Sequence, residues 1–180
     1  MKKYIVRGFT LVELVLVMVL VGILATVAVA RFPSSGESDL PATVDSARAM
    51  LRYAQRTAVA QNRDVYVRLD DASIALCFDS GCSTRVPAPA GSNSGRSATL
   101  TACSNDRSWA CEGWLSQISY SESVATTMFL FDPKGVPFTL ADLTSNYDKN
   151  TPSFTTLTLS YSSGAISMTA VVEAGTGYVH

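Results

Sequence analysis

Histidine is nearly missing from this 180-residue chain, with His180 the only one. A Ser-His-Asp or Cys-His catalytic unit therefore has no central base. No Gly-rich phosphate loop occurs, which removes the common nucleotide-binding signature. Carboxylates are scattered and form no recognisable acid/base pair. Charged residues make up only 16% of the chain, and the net charge is −1. That balance does not suit tight electrostatic binding of nucleic acid. Neither an enzyme nor a cofactor is expected.

The longest charge-poor stretch is the most informative. Between Arg7 and Arg31 the only charged residue is Glu13. Residues 9–30 number 22. As a helix they would reach about 33 Å, enough to cross a hydrocarbon core. Lys2, Lys3 and Arg7 precede this stretch, so the positive-inside rule predicts residues 1–8 in the cytoplasm and the remainder exported. A carboxylate in such a helix costs roughly 2.5 to 3.5 kcal/mol at the centre. A plain anchor would have no use for it. A cleaved secretory signal is the competing reading, since Ala28-Val29-Ala30 supplies a small-x-small site before Arg31. Against it, the apolar region exceeds the usual length of about 7 to 15 residues and contains Glu13.

A short basic leader, then Gly8, then Phe9-Thr10-Leu11-Val12-Glu13 and an apolar run resembles the N-terminus of type IV prepilins and type II secretion pseudopilins. The resemblance implies that a prepilin peptidase cuts between Gly8 and Phe9 and that the new amine of Phe9 is methylated. Gly8 fits because a residue without a side chain lets the backbone approach a catalytic centre closely. It implies that Glu13 pairs with the amine of a neighbouring subunit, and in low dielectric that attraction offsets desolvation and sets register. The partners implied are the prepilin peptidase, other pilins or pseudopilins and the inner-membrane assembly platform. The location implied is the bacterial inner membrane as a single pass, with a periplasmic domain, and then the filament. Many pilins carry proline where this chain has Ala30; here it comes at Pro33.

Residues 31–41 are rich in breakers and read as a hinge, followed by a domain over 42–180. Within it, Val44, Ala47, Leu51, Ala54 and Ala58 recur at helical spacing and predict an amphipathic helix over about 42–62. Arg48, Arg52 and Arg56 lie largely off that stripe and read as a solvated face. From Asp64 the period changes to two, predicting strands over 65–69 and 73–78 about the turn Asp70-Asp71. Further strands are predicted over 98–101, 117–120, 127–131, 154–161 and 165–172. Ser162-Ser163-Gly164 reads as a hairpin turn, and Asp132-Pro133-Lys134-Gly135 as a second turn. The expected fold is α+β and pilin-like: a long N-terminal helix, half membrane and half amphipathic, broken near 32–41 and packed on antiparallel sheet. The helix leading into the first strand resembles that of the H-type minor pseudopilins and related minor pilins.

Four cysteines fall in two close pairs and suit an oxidising compartment. Their spacing is not a familiar zinc pattern, and no metal site is expected. Three connectivities are open, of which local pairing, Cys77 with Cys82 and Cys103 with Cys111, is favoured. Each short loop would contribute about 2 to 3 kcal/mol. Asn146, Asp148 and Asn150, with Asp142 nearby, alternate oxygen ligands as some calcium loops do, but Lys149 opposes this and an ordinary polar loop is preferred. Relatives in competence pili bind DNA through basic final strands, whereas residues 164–180 contain no Lys or Arg. The expected function is structural. The chain reads as a minor pilin of a type IV pilus, such as the mannose-sensitive haemagglutinin pilus, or as a type II secretion pseudopilin. A secreted binding domain behind a cleaved signal is the alternative.

Overall fold

The computed structural model describes residues 10–29, 35–143 and 152–180. The chain divides into two units, Met1–Ser34 and Ser35–His180. In the first, helix α1 spans Leu11–Val29. The membrane-spanning helix expected over residues 9–30 is not found. At 19 residues α1 is about 28 Å long, under the roughly 30 Å of a hydrocarbon core. Among the described residues no helix is long and apolar enough to cross a membrane. The single-pass topology is overturned with it: the inner-membrane placement, the cytoplasmic N-terminus and the periplasmic domain all rested on that helix.

In the second unit, helix α2 spans Ser35–Gln61. It begins ahead of Ala42 and runs through Pro41, so the break expected near 32–41 does not extend beyond Ser35. Proline inside a helix removes a backbone donor and costs about 3 kcal/mol. Leu40 and Val44 on either side are both 0% exposed, and their burial holds the turn that Pro41 weakens. Thr43 Oγ1 also donates to the carbonyl of Asp39 at 3.0 Å. The other end of α2 closes on Asn62, whose φ is 50°. The Arg63 amide donates to Ala58 O at 3.1 Å and the Asn62 amide to Val59 O at 3.3 Å. That is the Schellman pattern, in which a left-handed residue lets the last carbonyls be satisfied.

Strands β1 (Val65–Asp70) and β2 (Ser73–Cys77) form a hairpin. A short helix, α3 (Ser97–Ala102), follows the loop over 78–96. Then come β3 (Cys111–Gly113), β4 (Ser119–Glu122), β5 (Met128–Phe131), β6 (Pro137–Thr139), β7 (Leu157–Ser163) and β8 (Ile166–Val172). They make a five-stranded sheet in the order β3-β2-β1-β5-β6 and a three-stranded sheet β4-β7-β8. Every pairing is antiparallel. The α+β pilin-like arrangement of helix on antiparallel sheet is therefore present.

The apolar stripe of α2 builds the core. Val44, Ala47, Leu51, Ala54 and Ala58 are buried against Val65, Val67 and Leu69 of β1, Phe129 and Phe131 of β5, and Leu157, Leu159 and Val172 of the second sheet. Period two makes this possible, since Val65, Val67 and Leu69 all face α2. Strand β2 is buried along its whole length. Ile74 and Leu76 join the main core, whereas Ala75 and Cys77 face a second cluster with Cys103, Trp109 and Cys111. Residues 98–101 are helical and not a strand. Gly113 of β3 lies so close to α3 that a Cβ would meet Ala98 O at 2.7 Å, and only a glycine allows that approach.

Candidate functional site

Gly8 and Phe9, the expected processing junction, lie outside the described residues. Glu13 lies within them, in the first turn of α1. Thr10 precedes the helix, and its Oγ1 accepts the Glu13 amide at 3.3 Å. The Leu14 amide donates to Thr10 O at 3.2 Å. Thr10 is thus the N-cap, and Thr10-x-x-Glu13 has the spacing of a capping box. Sequence reading missed this local role, although the spacing was there to be read. An acidic residue in a first turn also meets the positive end of the helix dipole. Glu13 is exposed, and its carboxylate makes no ion pair with any described residue.

The rest of α1 is apolar around its circumference. The large side chains from Leu11 to Ile23 remain between 49% exposed, at Val17, and 80%, at Leu11. A helix that is hydrophobic all round needs partners on every side. An exposed apolar surface of this extent marks an interaction site.

The four cysteines form two bonds, Cys77 to Cys82 and Cys103 to Cys111, with Cα separations of 5.1 and 5.9 Å. Both lie in the second cluster, on the face of β2 that α2 does not cover. Trp109 fills it and donates its indole N–H to Leu76 O at 2.7 Å. Arg85 lies over the Trp109 ring, 4.4 Å from its centroid, and pairs with Asp106 at 2.7 Å. Asp79, inside the loop closed by Cys77 and Cys82, accepts the amides of Ser83 at 2.9 Å and Thr84 at 2.6 Å. Those two donors hold its carboxyl down at about 2.

The polar side of α2 is not a simple solvated face. Arg48 donates to Thr169 O at 2.6 Å and Arg52 to Val179 O at 3.2 Å. Gln55 donates to Gly135 O at 2.9 Å and to Thr176 O at 3.0 Å. Arg52 and Arg56 remain exposed as expected, and Arg48 is half-buried. Val179 bridges Val172 and closes the segment after β8. The asparagines and aspartate proposed for a calcium loop, Asn146, Asp148 and Asn150, fall outside the described residues. Burial pushes the Asp142 carboxyl up, but hydrogen bonds from Ser153 and Thr139 outweigh it and hold it low. Both Asp142 oxygens already accept protein donors. Among the described residues no three His, Cys, Asp or Glu side chains gather as a metal site would need.

Comparison with solved structures gives the fold its name. The chain superposes on the type IV minor pilin FimU of Pseudomonas aeruginosa with a TM-score of 0.52 over 82% of this chain and 91% of that one, at 14% identity. A second crystal form of FimU gives 0.50 over 78% and 90%. The fold is pilin-like. The minor pseudopilin EpsH of the Vibrio cholerae type 2 secretion system gives 0.49 at 10% identity, over 79% of this chain and 94% of that one. Residues 5–29 match the prokaryotic N-terminal methylation motif. In sequence, 59 residues are 39% identical to the type IV narrow pilus major component PilA5 of Thermus thermophilus, covering 33% of this chain. The chain spans about half the length of that relative, 51%. Similarity to pilins thus joins a weak sequence match to a shared fold.

Proposed function

We propose that this chain is a minor pilin, a structural subunit built into a type IV pilus through α1. Its role is assembly and not catalysis. The observation that carries the reading is an exposed, all-round apolar α1 lying within a matched N-terminal methylation motif. A prepilin peptidase takes the chain as substrate and cuts between Gly8 and Phe9, and the amine of Phe9 is methylated. Copies of α1 from neighbouring pilins then cover one another. Glu13 meets the amine of a neighbour and sets the register. Of the two filament classes, a pilus such as the mannose-sensitive haemagglutinin pilus is favoured over a type II secretion pseudopilus, because FimU and PilA5 are pilus proteins by name.

Mass spectrometry of the mature protein tests the reading. It should begin at N-methylated Phe9. A mature chain beginning at Arg31 would establish a cleaved secretory signal and remove the pilin assignment.

A further inference from the structure

The two disulfides share one cluster but do not share one environment. Cys77, Cys103 and Cys111 are each 0% exposed. Cys82 alone is partly exposed, at a left-handed turn position with φ 54°. Cys77 is shielded on β2, with Arg85 as its bridge partner and Trp109 and Cys111 packed in the same cluster. Cys103 closes α3, its amide bonded to Thr99 O at 2.8 Å, and Cys111 pairs with Ala75 inside the sheet. A thiol can therefore reach one bond from outside and must wait for the fold to open before reaching the other.

We infer that Cys82 is a modification site for small thiols, entered ahead of the Cys103–Cys111 bond. A thiolate attacks Cys82 Sγ. The Cys77–Cys82 bond breaks, Cys77 leaves as a thiolate and takes a proton from water, and the incoming sulfur stays on Cys82 as a mixed disulfide. A second thiol displaces the first as a small-molecule disulfide and leaves both cysteines reduced. Two thiols are oxidised for one protein disulfide reduced. Attack in the other sense, on Cys77 Sγ, is blocked by burial.

The probe is 2-mercaptoethanol, added in graded amounts to the whole folded chain, followed by alkylation and peptide mapping. The first product should carry the mercaptoethanol adduct on Cys82 and alkylated Cys77, with Cys103–Cys111 intact. The second bond should open more than about tenfold slower, because it needs local unfolding. An adduct first at Cys77, Cys103 or Cys111, or one rate for both bonds, would overturn the inference. Single variants give an independent measure. In Cys77→Ser the Cys82 thiol should react readily with iodoacetamide, and in Cys82→Ser the Cys77 thiol should not. Equal reactivity of the two variants would also overturn it.

Discussion

Gln55 and Gly135, eighty residues apart in sequence, are joined by a hydrogen bond of 2.9 Å from the Gln55 amide to the Gly135 carbonyl. The same amide nitrogen donates to Thr176 at 3.0 Å. Gly177, at φ 64°, sits against both partners, so that a Cβ there would clash with Gly135 O and meet Gln55 Nε2 at 2.8 Å. One side chain of α2 thus ties the 132–135 turn to the segment after β8. Gln55→Ala should destabilise the domain by about 1 to 3 kcal/mol, since the part-buried Gly135 carbonyl loses its donor, while Thr176 O is exposed and can turn to water. Gly177→Ala should cost more, because backbone and not a flexible side chain stands in the way. Chemical denaturation of both variants measures the order; a Gln55→Ala midpoint equal to wild type would show that solvent replaces the amide at no cost.

The pairing proposed for the Glu13 carboxylate and the helix cap at its backbone N–H can be separated by one variant. Its backbone N–H is held by Thr10 Oγ1, and a glutamine fits the third position of a capping box as well as a glutamate does. Glu13→Gln should therefore keep α1 and its processing while removing the charge. Incorporation into filaments, read by co-purification with other pilins, should fall for Glu13→Gln as far as for Glu13→Val. If the glutamine variant assembles like wild type and the valine variant does not, a polar side chain at this position suffices and the charge is idle.

Asp79 gives the domain a dependence on acid. Its carboxyl is depressed from 3.8 to about 2 by the Ser83 and Thr84 amides. A depressed carboxyl contributes stability that is fully present above its unfolded value and is lost as pH falls through its folded value. The contribution should thus disappear between about 4 and 2. Asp79→Asn should melt lower than wild type at neutral pH, and the gap should close across that window. A gap that stays constant down to the low end would assign the effect to packing instead.

The helix stripe from Val44 to Ala58, the β1–β2 and β7–β8 hairpins and the Asp132–Gly135 turn could all be read from the sequence. Each has a regular period or a turn signature that acts locally. Strands β3 and β6 could not, because three residues carry no period. Residues 98–101, expected as a strand, are helical: an alternation of four positions also fits one helical turn, and this helix packs closely on Gly113. Pro41 suggested a break, but burial of Leu40 and Val44 overrode it. Arg52 is exposed as expected, but the bonds that Arg48 and Arg52 make could not be read, because their partners are backbone carbonyls, which leave no trace in residue type. Charge pattern and run length suggested a membrane helix over 9–30, and the shorter α1 does not meet that length. Of the candidate site, the cysteine pairs stood out by proximity, whereas the cap on Glu13 was hidden behind the charge itself.

Strand β2 is roofed on one side by a helix and on the other by loops pinned with two covalent clasps. A helical roof is a rigid body whose length and angle are dictated by the sheet beneath. A clasped roof is held at separate points: beside Trp109 and the four sulfurs, Val86 reaches the main core and Asn93 and Thr99 are buried, while the chain between such points is exposed. The exposed residues over 89–92, between the buried Ala88 and Asn93, are therefore the part of this roof whose side chains can change with least disturbance to the frame beneath.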